Sequence, residues 1–388
     1  MNLQESTEQQ ALRKQLAAYL ENLVTEEERL KLADEQVGGD GFRAFAKRLG
    51  DDGWLGVGWP VEYGGQGRSL ADQYVFFDEL QRTGLPFPFV TINTVGPTLM
   101  KWGTEEQKQT YLPGMLSGEI VFSIGYTEPE AGTDLASMQT RAMRDGDDWV
   151  ITGQKVFTTG ANTADFVWLA CRTDPDAPKH RGISILIVPT ADPGFSWTPI
   201  ELTAGNVTTS TSYDQIRVPA QNLVGEVNQG WKLITTQLNH ERIGLAACGG
   251  RMISLWERVT EWAHQTGVIH EPWVQRDLAR AQAMLQAMAL LNWKMTWAVN
   301  RGELVGADAS AAKVFGTETH VDVQLTLVNV LGAAGRIRPG SPTHRLAGEV
   351  EQISRQGIVN TFGGGVNEVL RDMVAASGLG LPRLARGA

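Results

Sequence analysis

The chain has 388 residues, a formal net charge of −10 from 44 acidic and 34 basic side chains, and hydrophobic and charged contents of 42% and 20%. That length predicts two or three domains, and those contents are ordinary for a soluble globular protein. The acidic balance argues against nonspecific nucleic-acid binding but leaves room for an anionic ligand held by a local basic site.

Residues 1–119 read as mostly helical. Leu12, Leu16, Tyr19, Leu20 and Leu23 recur at helical spacing, and so do Phe42, Phe45 and Leu49. The stretch from Trp59 to Gly67 interrupts the pattern. No strand leads into its glycines and their spacing is wrong for a dinucleotide-binding turn, so it is read as a connecting loop. Helical patterning returns over 71–82, 96–102 and 105–116. Residues 120–228 change character. Short runs rich in β-branched or aromatic residues occupy 120–124, 150–152, 166–171, 183–188 and 210–218, separated by turn signals such as Asp145-Gly146-Asp147 and Asp192-Pro193-Gly194. This predicts an all-β insert, a small barrel or sandwich. Residues 229–388 return to long helices over 230–265, 272–299, 309–331 and 349–361, with breaks at Leu331–Gly335 and Thr361–Gly365. The expected class is α+β, with helical, β and helical domains at 1–119, 120–228 and 229–388.

Other features narrow the chemistry. No run approaches the ~18 uninterrupted apolar residues of a membrane span, and the polar start at Met1 lacks a signal-peptide core. Cys171 and Cys248 form neither a disulfide framework nor a Cys-x-x-Cys site, so a cytoplasmic location is expected. The six His residues are dispersed without metal-binding spacing, and no metal site is expected.

Two stretches carry functional signals. The first runs from Phe122 to Asp134, a short apolar strand breaking into Thr127-Glu128-Pro129-Glu130-Ala131-Gly132-Thr133. Pro129 fixes φ, Gly132 lets the backbone approach a ligand, and the hydroxyls of Thr127 and Thr133 can donate and accept. Such a loop suits a flat heteroaromatic ligand with carbonyls and a pyrophosphate, although an ordinary strand-to-loop turn reads the same way. The second is Gly153-Gln154-Lys155-Val156-Phe157-Thr158-Thr159-Gly160.

Together these stretches resemble the flavin-contacting motifs of the acyl-CoA dehydrogenase family. The resemblance extends over nearly the whole chain. It includes Gly53-Trp54-Leu55-Gly56, Glu62-Tyr63-Gly64-Gly65, the turn from Gly103 to Lys108, and Asn239-His240-Glu241-Arg242. It implies an acyl-CoA dehydrogenase-like fold: an N-terminal helical domain, a middle β-barrel or sandwich, and a C-terminal four-helix bundle. It implies FAD as cofactor, contacted by Tyr126, Thr127, Gly132, Thr133, Phe157 and Thr159. Phe157 stands where the family usually has Trp, which keeps a stacking face and loses the indole N–H. It also implies an acyl-CoA substrate, contacted by Thr133, Asn239 and Arg242.

The implied reaction removes a proton from Cα and a hydride from Cβ of the thioester, giving a 2,3-enoyl-CoA. It requires a general base whose carboxylate is poorly hydrated. Glu241 fits: Leu238 and Leu245 lie three before and four after it, toward an apolar face. A solvated helix Glu, or one paired with Arg, would show the same pattern. Members similar to isovaleryl- and long-chain acyl-CoA dehydrogenases carry the base on this helix as a Glu-Arg pair, matched here by Glu241-Arg242. Most others carry it in a later Tyr-Glu-Gly-Thr turn, which here reads Phe362-Gly363-Gly364-Gly365.

The departures are informative too. The family's Arg-x-x-Phe-Gly, which reaches a neighbouring subunit's FAD, is absent from His264–His270. Its Gln-x-x-Gly-Gly-x-Gly is degraded to Asn329–Gly335. This combination is similar to one subunit of the bacterial two-gene dehydrogenases that act on steroid side chains. The resemblance therefore implies an α2β2 heterotetramer with a second dehydrogenase-like subunit, and an electron-transfer flavoprotein as acceptor. The alternatives are a homotetramer for short branched acyl-CoAs, a non-catalytic scaffold subunit, and a flavin monooxygenase relative.

Overall fold

The computed structural model describes residues 4–34, 38–237, 249–343 and 346–382. The helices before the strands are α1 (Thr7–Leu23), α2 (Glu26–Asp34), α3 (Asp40–Asp51), α4 (Leu70–Thr83), α5 (Gly96–Trp102) and α6 (Glu105–Leu116). After the strands come α7, described over 230–237, then α8 (Gly249–Thr266), α9 (Pro272–Asn300), α10 (Gly306–Leu331), α11 (Leu346–Gln356) and α12 (Asn367–Met373). Packing divides the chain into two compact units. One comprises Met1–Thr25, Ser69–Leu85 and Glu241–Ala388; the other comprises Glu26–Arg68 and Pro86–His240.

Among the described residues the first unit contains helices and turns and no strand. Its core joins Met252, Leu255 and Val259 of α8, Leu278, Leu285 and Met288 of α9, and Val323, Leu327 and Val330 of α10. These are apolar residues at helical spacing, so each helix buries one stripe. α4 starts on a reciprocal capping box between Ser69 and Asp72 and stops at Gly84, whose φ is +72°. The tip of the Arg251 side chain lies where a Cβ at Gly84 would be, and the left-handed φ is what favours glycine at this C-cap. α10 carries a fully buried Lys313 and a buried His320.

The second unit holds the strands β1 (Phe122–Gly125), β2 (Arg141–Asp145), β3 (Asp148–Lys155), β4 (Phe166–Arg172), β5 (Ile183–Pro189), β6 (Phe195–Glu201), β7 (Val207–Pro219) and β8 (Leu223–Val224). They make one mixed sheet in the order β6-β7-β3-β2-β4-β5-β8, with β1 also paired to β4. β1 occupies Phe166 to Leu169 of β4, while β2 touches β4 only at Arg172. The sheet therefore turns a corner there, and its two halves share one core. Trp149, Ile151, Ile216 and Val218 come from one side of the corner, Val167, Leu169, Leu186 and Val188 from the other. The all-β character of this part was expected from the sequence as a small barrel or sandwich, and it is realised as this single bent sheet. α6 is tied to this unit by its capping residue: Gln107 Nε2 donates to the carbonyls of Gln221 and Leu223 at 2.7 and 2.8 Å.

Several elements differ from the sequence reading. The strand expected at 120–124 is shifted to Phe122–Gly125, and the run at 210–218 is the later part of a longer β7. β2 and β6 were not expected at all. Their side chains are mostly exposed, so no apolar run announces them, and β6 is an edge strand carrying Pro199. The helix expected over 349–361 is α11 followed by a 3-10 turn, Gly357–Thr361. A Cβ at Gly357 would lie 1.9 Å from Gln324 Oε1, so the chain changes course where it crosses α10. The helix expected over 230–265 is seen as α7 and α8, and 238–248 lie outside the described residues. Among the described residues no helix is long and apolar enough to cross a membrane.

Candidate active site

The strand unit concentrates its polar chemistry where β1 ends. A Cβ at Gly125 would lie 2.9 Å from Leu169 Cδ1 and Val167 Cγ1, so a larger residue there would require these side chains to shift. Reciprocal backbone hydrogen bonds of 3.1 Å between Glu128 and Ala131 then close the Pro129-Glu130 turn. The Val156 N–H donates to the Thr127 carbonyl at 2.8 Å, joining this loop to the segment that leaves β3.

Beneath that junction lies a buried ion pair. Lys155 Nζ donates to Glu128 Oε1 at 2.8 Å and to the Tyr126 carbonyl at 3.0 Å. The Glu128 carboxylate also accepts from the backbone N–H groups of Gln139 and Thr140, at 2.5 and 2.8 Å. Burial alone would raise the Glu128 carboxyl, but the Lys155 charge, its hydrogen bond and the two N–H donors outweigh it and hold the group below its ordinary value. Both partners are hydrogen-bonded, so the pair acts as a clamp on the loop rather than as an acid or base in exchange with solvent.

The segment after β3 is fastened to β7. The Thr158 N–H donates to the Thr209 carbonyl at 2.9 Å, the Thr209 hydroxyl donates to the Thr158 carbonyl at 2.5 Å, and the Thr158 and Thr211 hydroxyls are 3.2 Å apart. Thr159 Oγ1 lies 2.8 Å from Thr208 Oγ1, and the Ser123 hydroxyl donates to the Thr159 carbonyl at 3.0 Å. These bonds hold Phe157 at φ +58°, an uncommon conformation for a bulky residue. Its ring remains 59% exposed.

The expected cofactor residues take different places. Thr127 is half-buried, while Gly132, Thr133, Phe157 and Thr159 are exposed. Thr127 is linked to the Phe157 segment through Val156, and a Cβ at Gly132 would meet only Thr127 Cγ2, at 4.0 Å. Tyr126 points elsewhere: its hydroxyl donates to Gln237 Oε1 at 2.6 Å, an oxygen that also accepts from Trp168 Nε1 at 3.1 Å. Tyr126 thus fastens α7, which precedes Asn239, Glu241 and Arg242 in the chain. Those three residues lie outside the described residues. The sequence reading did not single out Glu128, Lys155 or Gln237 for any role. Glu128 and Lys155 stood inside the two motifs; Lys155 is the one charge in its stretch, while Glu128 is one of three acids in the other, with Glu130 and Asp134.

In the helical unit, the turn expected to replace a catalytic Tyr-Glu is held by its own contacts. Gly364 and Gly365 have φ of +66° and +115°, conformations that favour glycine. Lys313 Nζ donates to the Gly365 carbonyl at 2.7 Å and to Asn367 Oδ1 at 2.8 Å.

An exposed aromatic side chain on a bolted-down segment, the exposed residue Thr159 two positions on, and open ground over Gly132 fit a planar heteroaromatic cofactor of flavin type. The described elements are helical and β parts in α-β-α chain order. Comparison with known proteins agrees. Residues 6–119, 123–217 and 228–379 match the family domains described as acyl-CoA dehydrogenase, N-terminal, middle and C-terminal. The chain belongs to the acyl-CoA dehydrogenase family, whose members are oxidoreductases and generally FAD-dependent. It is 47% identical over 400 residues to the acyl-CoA dehydrogenase FadE26 of Mycobacterium tuberculosis, covering 100% of both chains. Among solved structures it is similar to the "Tcur3481-Tcur3483 steroid ACAD", at 67% identity and a TM-score of 0.96, covering 99% of this chain and 100% of that one. It is also similar to a chain of the ChsE4-ChsE5 complex from Mycobacterium tuberculosis, at 47% identity and a TM-score of 0.92, with coverage of 99% and 100%.

Proposed function

We propose that this chain is the base-carrying subunit of an FAD-dependent dehydrogenase that introduces a 2,3 double bond into a bulky, steroid-type acyl-CoA. The observation that carries the cofactor assignment is Phe157, held at φ +58° with an exposed ring. Burying such a ring against a flat partner recovers apolar area that is otherwise left in water. Thr127, Gly132, Thr133 and Thr159 would hold FAD beside it, with Tyr126 contributing through its backbone. When bound, FAD supplies the hydride-accepting chemistry. Glu241 takes the Cα proton of the thioester, and Thr133, Asn239 and Arg242 orient the substrate. An electron-transfer flavoprotein is the proposed acceptor.

The steroid-type substrate is supported by the "steroid ACAD" at 67% identity and by the side-chain-free Gly363-Gly364-Gly365 turn. A heteromeric assembly is supported by the sequence segments that would otherwise reach a neighbour's cofactor. α8 ends at Thr266, Gly267 turns at φ +78°, and Val268–His270 is a 3-10 turn with no Arg to extend. α10 ends at Leu331 before Gly332 at φ +61°. The helical unit also leaves Phe315, Leu325, Ile358, Val359 and Phe362 exposed, a set of apolar side chains suited to a partner subunit. A solved relative is itself a complex of two different chains, ChsE4 and ChsE5. We propose an α2β2 assembly with a second dehydrogenase-like chain.

The test is anaerobic titration of the co-purified complex with a steroid side-chain acyl-CoA. Bleaching of the flavin absorbance without oxygen, with release of the 2,3-enoyl thioester, is expected. No bleaching by this substrate together with rapid bleaching by a short branched acyl-CoA would overturn the substrate assignment.

A further inference from the structure

We infer that Lys313 is a positioning residue for acyl-chain selectivity, because its buried ammonium fixes the Gly363-Gly364-Gly365 turn from inside the helical unit. This rests on the proposed function, in which that turn borders the acyl chain.

The three glycines have no side chains with which to anchor themselves. Backbone bonds hold the start of the turn, with the Gly363 N–H on the Val359 carbonyl at 2.8 Å. At its end the Gly365 carbonyl points inward to Lys313 Nζ, 2.7 Å away. Lys313 is fully buried. A buried ammonium must find acceptors for its donors, since water cannot supply them. Its acceptors include the Gly365 carbonyl and, at 2.8 Å, Asn367 Oδ1. The Asn367 amide cannot flip, because its Nδ2 donates to Thr317 Oγ1 at 3.1 Å and Glu318 Oε1 at 3.2 Å. Glu318 is in turn held by Arg371 Nη2, at 2.7 and 2.6 Å to its two oxygens.

The result is a chain of charge and hydrogen bonds running from Arg371 through Glu318, Asn367 and Lys313 to one carbonyl of the turn. Gly364 and Gly365 can adopt many backbone conformations, and this chain selects one. Shape at this turn is therefore controlled by a residue that touches no substrate. A turn released from Lys313 would occupy several conformations, some of which narrow the space a rigid polycyclic acyl group needs. A thin straight chain would be affected far less.

The experiment compares the wild-type complex with its Lys313→Met counterpart, an apolar side chain of similar length. Hydrogen exchange over 361–367 is expected to rise on the order of tenfold while α9 keeps its protection. The ratio of kcat/KM for a steroid side-chain thioester to that for octanoyl-CoA is expected to fall about tenfold, chiefly through KM of the steroid substrate. If Lys313→Met does not yield folded protein, Lys313→Gln, whose amide can reach one acceptor, is expected to show the same shift to a smaller degree. Unchanged exchange over 361–367 with an unchanged ratio would overturn the inference, as would equal losses on both substrates. A wild-type complex inactive on the steroid thioester would instead overturn the proposed substrate, and the exchange measurement would still decide whether Lys313 holds the turn.

Discussion

Lys155 Nζ and Glu128 Oε1 are 2.8 Å apart, with side chains 0% and 5% exposed, directly under the junction of the two motif-bearing loops. The pair also takes up the Tyr126 carbonyl and two backbone N–H groups. Taking two charges out of water is expensive, and only a fully satisfied arrangement repays it. The gain is geometric: the loop carrying Thr127 and Gly132 is held against the end of β3.

Breaking this pair from one side should therefore cost far more than a surface ion pair. Lys155→Met leaves Glu128 buried without its cation, and a loss of about 3–5 kcal/mol is expected. Thermal unfolding and retained flavin measure it. The double variant Lys155→Met/Glu128→Gln should recover part of the stability, and a single variant as stable as wild type would show that the loop is held by other means.

Acid should weaken the same site in a defined direction. The folded Glu128 carboxyl lies below its ordinary value, so its contribution is present above the ordinary carboxylate range and is lost as pH falls through the lowered value. His320 adds a second dependence. Its imidazole is buried in α10 and burial alone lowers it to about 4 from an ordinary 6.5. The unfolded chain binds this proton below 6.5 while the folded chain resists it down to about 4. Stability from this residue is thus complete above 6.5 and declines as pH falls from 6.5 toward 4, by at most about 3 kcal/mol. His320→Gln should flatten the Tm-versus-pH curve over that interval, and an unaltered curve would contradict it.

Phe157 offers a test that separates cofactor binding from folding. Its ring is mostly exposed, so Phe157→Ala should leave Tm of the flavin-free protein nearly unchanged. Loss of a stacking contact of about 1–1.5 kcal/mol should weaken FAD about tenfold. Equilibrium dialysis of FAD measures this, and unchanged affinity would remove Phe157 from the cofactor site.

The sequence revealed local structure well and long-range pairing poorly. α5 and α6 were legible as helical patterning over 96–102 and 105–116; the structure adds the Thr104–Gln107 capping box that starts α6 and the Pro97 in the first turn of α5. Phe157 was legible as a motif position, but its exposure and positive φ depend on Thr208, Thr209 and Thr211 of β7, far along the chain. The Glu128–Lys155 pair was hidden for the same reason, since strand pairing alone brings a loop acid to a strand lysine. β2 and β6 went unseen because exposed strands carry no apolar alternation.

Glu241 remains the central chemical assignment. Glu241→Gln is isosteric, so fold and bound FAD should persist while turnover falls on the order of 10²–10⁴-fold through loss of proton acceptance. Near-normal turnover would direct attention to Glu368, which is exposed on α12, or to the partner chain.

The native mass and flavin content of the assembly test the proposed heteromeric dehydrogenase most directly. Co-expressed with its dehydrogenase-like partner, this chain should form an α2β2 complex with one FAD per copy of the chain that carries Glu241. Expressed alone, it should be poorly soluble or flavin-poor. A stable homotetramer of this chain alone, with an FAD tightly bound in every subunit and full activity, would contradict it.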